Sequence, residues 1–171
     1  MQVIKLGLIS VLAFALLITG ISLFFPSQVR ISKAIDITGD RDSVWMQIKD
    51  PANWKHWYPG ADSMAPLYVG GEIKGILSDS MQGLLLTAVT DSTAQATNTG
   101  PLSKKGESGW NIFPGGVPNT VTIQWYTDFH LRWYPWEKFS SLLLEKRYGP
   151  IMEQGLTNLK KRVENISAPN K

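Results

Sequence analysis

Residues 6–25 read LGLISVLAFALLITGISLFF, 20 residues without a charge and apolar on every helical face. As a helix rising ~1.5 Å per residue, the run reaches ~30 Å, the thickness of a bilayer's hydrocarbon core. Lys5 precedes it, and Pro26 and Ser27 interrupt helix just beyond it. A cleavable signal peptide starts in the same way. This run, however, exceeds the usual ~7–15 apolar residues, and SLFFPSQV offers no small-x-small cleavage site. The expectation is a tail and single-pass anchor over 1–30, with its helix over about 6–25, followed by one domain over 31–171. Arg30, Lys33 and Arg41 beyond the helix outnumber Lys5 and the terminal amine, so flanking charge alone does not orient the anchor. A short tail led by Lys5 is the signal-anchor arrangement, which places the domain on the extracytoplasmic side of the cell membrane.

Past the anchor the pattern changes period. Residues 29–37 alternate, apolar at most odd positions and mostly polar between, as in a half-buried strand. Residues 39–42, GDRD, supply a turn and a helix cap, and Val44, Trp45 and Ile48 share one helical face before Asp50-Pro51 ends it. The proline-bounded stretch 51–60 sets Trp54 and Trp57 three apart, predicting a second short helix. Strand-like runs over 72–78, 84–90 and 93–98 predict an antiparallel meander, followed by a polar loop over 100–106. Two more strands are predicted over 109–113 and 120–134. The longer one carries Val121, Ile123, Trp125, Thr127, Phe129, Leu131 and Trp133 on one face and Gln124, Asp128, His130 and Arg132 on the other. Helix follows over 136–148, with a break expected at Gly149-Pro150 and a second piece to about 166. In that piece Met152, Leu156, Leu159, Val163 and Ile166 form an apolar stripe, leaving Lys160, Lys161 and Glu164 to solvent.

Composition narrows the function classes. The chain is basic as a whole, but residues 31–171 hold 15 Lys or Arg, since Lys5 and Arg30 fall outside, against 14 Asp or Glu. A nearly neutral domain argues against nucleic acid as a partner. The absence of cysteine removes disulfides, thiolate catalysis and cysteine-based zinc sites. All seven tryptophans lie beyond residue 30, so the domain must house them.

The order of elements, together with short motifs, resembles the SRPBCC superfamily, the START and Bet v 1-like group that includes polyketide cyclase/dehydrase and lipid transport proteins. The motifs are Ile35-Asp36-Ile37 with Asp42-Ser43-Val44-Trp45, then Asp50 through Trp57-Tyr58-Pro59, and finally Gly155-Leu156-Thr157-Asn158-Leu159-Lys160. The resemblance covers 31–165 and implies an α+β helix-grip fold, a curved antiparallel β-sheet wrapped around a long C-terminal α-helix. It also implies a cavity between them for apolar or amphipathic molecules. No cofactor is expected. It does not imply one chemistry, because the fold hosts carriers, receptors and cyclases.

If the sheet grips the helix, Trp57, Trp110, Trp125, Phe129, Met152 and Leu156 either line a cavity or simply pack the core. Trp54, Trp57 and Tyr58 form either an aromatic entrance or a structural cap. His56 and His130 occur in no metal or triad spacing, and His130 shares the polar face of its strand with Asp128 and Arg132, so it is read as a surface residue. No metal site is expected. The leading reading is a membrane-anchored carrier or sensor of a hydrophobic or lipid-like small molecule, with oligomeric state open. One alternative is a cyclase or dehydratase, for which Tyr68, Glu72 and Asp79 are the available proton-transfer groups. The other is a packed structural or interaction module without a cavity.

Overall fold

The computed structural model describes residues 2–79, 82–100 and 106–167. The apolar run forms helix α1, Gln2–Ser22, whose large side chains are exposed along its length. It starts earlier and ends sooner than expected. Thr19 Oγ1 and Ser22 Oγ bond back to the carbonyls of Ala15 and Thr19, and Phe25, preceding a proline, is biased away from helix.

Among the described residues, seven strands make one antiparallel sheet in the order β1-β7-β6-β5-β4-β3-β2. They are β1 (Gln28–Thr38), β2 (Ala65–Val69), β3 (Glu72–Asp79), β4 (Gln82–Val89), β5 (Thr93–Thr99), β6 (Glu107–Pro114) and β7 (Thr120–His130). Chain neighbours pair throughout β2 to β7, and the one long return puts β1 beside β7. Between β1 and β2 lie helix α2 (Arg41–Lys49) and two 3₁₀ turns, Pro51–His56 and Ala61–Ser63. Asp40 caps α2 by accepting from the Ser43 N–H, and Asp50 caps the first 3₁₀ turn by accepting from the Ala52 N–H. β2 has no counterpart in the sequence reading. It is short, carries Pro66 and sits at the sheet edge, where a missing donor costs least. Of the loop expected over 100–106, residues 101–105 lie outside the described residues.

β7 ends at His130, short of the expected 134, because the backbone turns away there: the Leu131 N–H donates to Ser27 O and the Arg132 N–H to Glu137 Oε2. Helix α3 (Pro135–Ser140), a 3₁₀ turn and helix α4 (Leu144–Ser167) complete the chain. The helix break thus falls over 141–143, and α4 runs through Pro150 without interruption. Gly149 explains this, since a residue without Cβ is spared the clash that bars most residues before proline from helical conformation. It is also pressed by its surroundings: a Cβ there would lie 3.3 Å from Lys33 Cε.

α4 packs its buried face, Met152, Leu156, Leu159 and Val163, over the β1–β7 side of the sheet. Ile166 lies beyond this contact and is exposed. Lys33 is the one charged residue among β1's inward-facing positions, and its Nζ reaches Glu145 (2.7 Å) and Glu153 (2.9 Å) on α4. These partners push the Lys33 amine up to about 12. Lys160 Nζ donates back to the Asp36 carbonyl, so a side chain still 38% exposed to solvent also ties α4 to β1.

Candidate ligand site

All six residues expected between sheet and helix enter one buried cluster. Register explains the pairing at its centre, because Trp110 on β6 stands directly opposite Trp125 on β7, with ring centroids 5.6 Å apart. The turn after α2 delivers Trp54, Trp57 and Tyr58 against them. Trp57 meets Trp110 and Trp125 edge-on at 6.1 Å, and Tyr58 lies 5.3 Å from Trp125. Met152 and Leu156 close the cluster from α4, while Phe129 pairs with Tyr148 at 4.8 Å. Contacts of this kind contribute ~0.5–1.5 kcal/mol each beyond area burial. The centre of the sheet–helix interior is therefore filled by aromatic rings.

Trp54 and Trp57 are held by their indole N–H groups, which donate to Ile48 O (2.7 Å) and Gln47 O (2.9 Å). Both are fully buried, which makes them a cap on the core rather than an exposed entrance. The indole N–H groups of Trp110 and Trp125 find no acceptor among the described residues.

The open space lies to one side of this cluster. A cleft of about 120 Å³ is bounded by Tyr58, Met64, Ile76 and Leu84 on its apolar side and by Ser78, Gln82, Asn98 and Thr99 on its polar side. Strand parity accounts for two of the polar set: Gln82 continues the inward series of Leu84, and Asn98 that of Ala94 and Ala96. Ser78 sits at a bulge between Leu77 and Asp79 and is exposed at the rim of the cleft. The small Ala94 and Ala96 beside them leave room. Asn98 Nδ2 donates to Gly106 O, and Thr99 Oγ1 is buried without a partner among the described residues.

Sequence reasoning missed this set, although the two inward polar residues, Gln82 and Asn98, were its available signal. Burial pushes the Tyr58 phenol up to about 12, with Tyr148 adding to the shift. Tyr58 is the one ionisable side chain in the described wall, and it stays neutral at physiological pH. A wider, shallower groove of about 590 Å³ lies at the opposite end of the sheet, beside Asp50, Glu72 and Lys74.

The antiparallel register places this cleft relative to α1. Gln28 pairs with His130, Asp128 with Glu107, Glu107 with Thr97, Thr99 with Gly83, and Gln82 with Asp79. The start of β1 and the cleft residues therefore share one end of the sheet, and α1 leads into that end.

Of the remaining candidates, His130 is exposed on the outer face, where Arg30 and Asp128 form a two-pronged pair at 2.7 Å across β1 and β7. Tyr68 is exposed, and Glu72 is an exposed partner of Lys74. The Asp79 side chain lies outside the described residues. Among the described residues, no group of three His, Cys, Asp or Glu is placed to hold a metal.

A family model described as polyketide cyclase / dehydrase and lipid transport matches residues 28–164. The chain belongs to this family. No curated protein matches it in sequence. Among solved structures, a START superfamily protein from Mycobacterium smegmatis is similar, with a TM-score of 0.60, 16% identity, and coverage of 81% of this chain and 99% of that one. Norcoclaurine synthase from Thalictrum flavum, solved with dopamine and hydroxybenzaldehyde, has a TM-score of 0.59 at 14% identity, covering 86% of this chain and 92% of that one. The protein XoxI from Bacillus cereus has a TM-score of 0.59 at 16% identity, covering 82% and 99%. At these identities the likeness is one of fold. This family member has the helix-grip architecture of its START and Bet v 1-like neighbours, preceded by a helix long and apolar enough to cross a membrane.

Proposed function

We propose that this chain is a single-pass membrane protein whose domain, residues 31–171, receives part of a hydrophobic or lipid-like molecule in the cleft beside Tyr58, as a carrier or sensor. The observation that carries this reading is the cleft itself, apolar at Met64, Ile76 and Leu84, polar at Ser78, Gln82 and Asn98, and set at the end of the sheet into which α1 leads. Such a wall suits an amphipathic guest.

Magnitude refines the reading. Sites for drug-sized ligands run to ~300–1,000 Å³. A cleft of about 120 Å³ holds one end of an extended molecule, and the rest leaves through the mouth. In this reading Trp57, Trp110, Trp125, Phe129, Met152 and Leu156 form the packed wall behind Tyr58. A neutral Tyr58 suits hydrogen-bond donation better than proton abstraction, which favours binding over cyclase-type chemistry. The signal-anchor arrangement of the N-terminus supports an extracytoplasmic domain; protease access to intact spheroplasts tests that side.

Native mass spectrometry of the full chain released from detergent micelles tests the binding. The expected result is a bound small molecule, lost in Ser78→Trp, which blocks the mouth while thermal stability is retained. No adduct on the wild type contradicts the reading. The filled interior around Trp110 and Trp125 favours a second reading, a packed interaction module, for which that outcome is the expected one.

A further inference from the structure

We infer that residues 131–143 form a second membrane contact, an interfacial surface that lies on the bilayer crossed by α1. The inference rests on α1 spanning that bilayer. Three features of the segment carry it.

First, the segment is clamped to the chain where α1 ends. The Leu131 N–H donates to Ser27 O at 2.8 Å, and Phe25 meets Phe139 edge-on at 5.3 Å. Lys138 is buried, and its Nζ donates to Phe25 O at 3.0 Å and Ser27 Oγ at 2.8 Å. A membrane helix that spans must present residues 23–27 at the bilayer surface, so whatever is bonded to them is held at that depth.

Second, the outer side of the segment is apolar. Trp133 and Trp136 are 61% and 67% exposed, and Leu142 and Leu143 are exposed to a similar degree. The other five tryptophans are at most 3% exposed. Exposed apolar side chains continuous with a membrane helix mark a membrane contact rather than a water-facing surface.

Third, the residue types suit the interface. Trp and Tyr prefer the headgroup level, where a ring is half immersed and its polar tip is hydrated. Tyr134 stacks on Trp136 at 4.8 Å. The charges are disposed accordingly: Lys138 is turned inward, Glu137 is paired with Arg132, and Lys146 and Arg147 are exposed just beyond the strip, within reach of anionic headgroups. Because β7 ends where this segment begins, docking it holds the cleft end of the sheet against the lipid. A lipid-like guest then passes between bilayer and cleft without crossing open water.

α1 contains no tryptophan, so indole emission reports on the domain alone. The full chain is reconstituted in vesicles with and without brominated phospholipid, and alkaline carbonate extraction is run in parallel. The expected result is retention in carbonate and quenching approaching two-sevenths of the emission, the share of Trp133 and Trp136 among the seven tryptophans. That quenching disappears in Trp133→Phe/Trp136→Phe and falls in Leu142→Ser/Leu143→Ser, which keeps both reporters. Retention without quenching overturns the docking contact and leaves the anchor standing. Release by carbonate overturns both. Quenching undiminished in the double tryptophan variant also overturns the contact, because buried rings would then be meeting lipid.

Discussion

Gly155 of α4 lies directly against the indole of Trp125 on β7, and a Cβ built there would stand 2.6 Å from Cζ3 and 3.0 Å from Pro59 Cδ. Trp125 has no room to yield, being wedged among Trp57, Tyr58 and Trp110. Gly155→Ala therefore sets a helix-propensity gain of ~1 kcal/mol against overpacking of ~1–3 kcal/mol. The expected outcome is a net loss of up to ~2 kcal/mol, read as a lower Tm.

Tyr58 should titrate late. Its phenol, ordinarily near 10.0, is pushed up to about 12 by burial. Below pH 10 both folded and unfolded chains hold the neutral phenol, so the group adds no pH dependence. Between pH 10 and 12 the unfolded chain ionises first, and stability falls as pH rises, by up to ~2–3 kcal/mol. Absorbance at phenolate wavelengths should show a late transition near 12 that Tyr58→Phe removes, and the same variant should flatten the alkaline stability loss.

Lys138 is the joint between α1 and the domain. Lys138→Met keeps the stem and removes both donated bonds, leaving the Phe25 carbonyl without its partner, at a cost of ~1–3 kcal/mol. Hydrogen exchange should locate the damage, with the Leu131 amide losing protection while Ile123, at the far end of β7's core, keeps it.

The Arg30–Asp128 pair on the outer face should matter little. Its hydrogen bond to Arg30 holds the Asp128 carboxyl below its ordinary 3.8, so the contribution exists above that pH and disappears as pH falls through the lowered value. Since Arg30 is largely exposed, Asp128→Asn should cost no more than ~1 kcal/mol at neutral pH, a cost that shrinks as pH falls through the lowered value.

The elements legible in the sequence were those with a long, unbroken period. Residues 120–130 largely alternate, and Met152 through Val163 repeat at helical spacing, so the last strand and last helix could be read from their periods, and the grip between them from the family resemblance. β2 was not legible because five residues including a proline carry no period, and pairing with β3 alone defines them. The break was expected from Gly149-Pro150 as a pair of helix breakers, and the absent Cβ of Gly149 instead lets the helix run through. The six inward residues were found because bulk and parity mark a core. The cleft was harder to see, since Ser78, Gln82 and Asn98 are distant in sequence and converge only once β3, β4 and β5 are in register.

The most direct test of the cleft as a lipid seat is photo-crosslinking with a diazirine-bearing fatty acid added to the full chain in vesicles, with labelled peptides identified by mass spectrometry. Labelling of α1 is expected in any case. A lipid-like guest seated beside Tyr58 should also label the peptides carrying Met64, Ile76 and Leu84, and Ser78→Trp should abolish those labels alone. Labelling confined to α1 and residues 131–143 would contradict the cleft as the binding site.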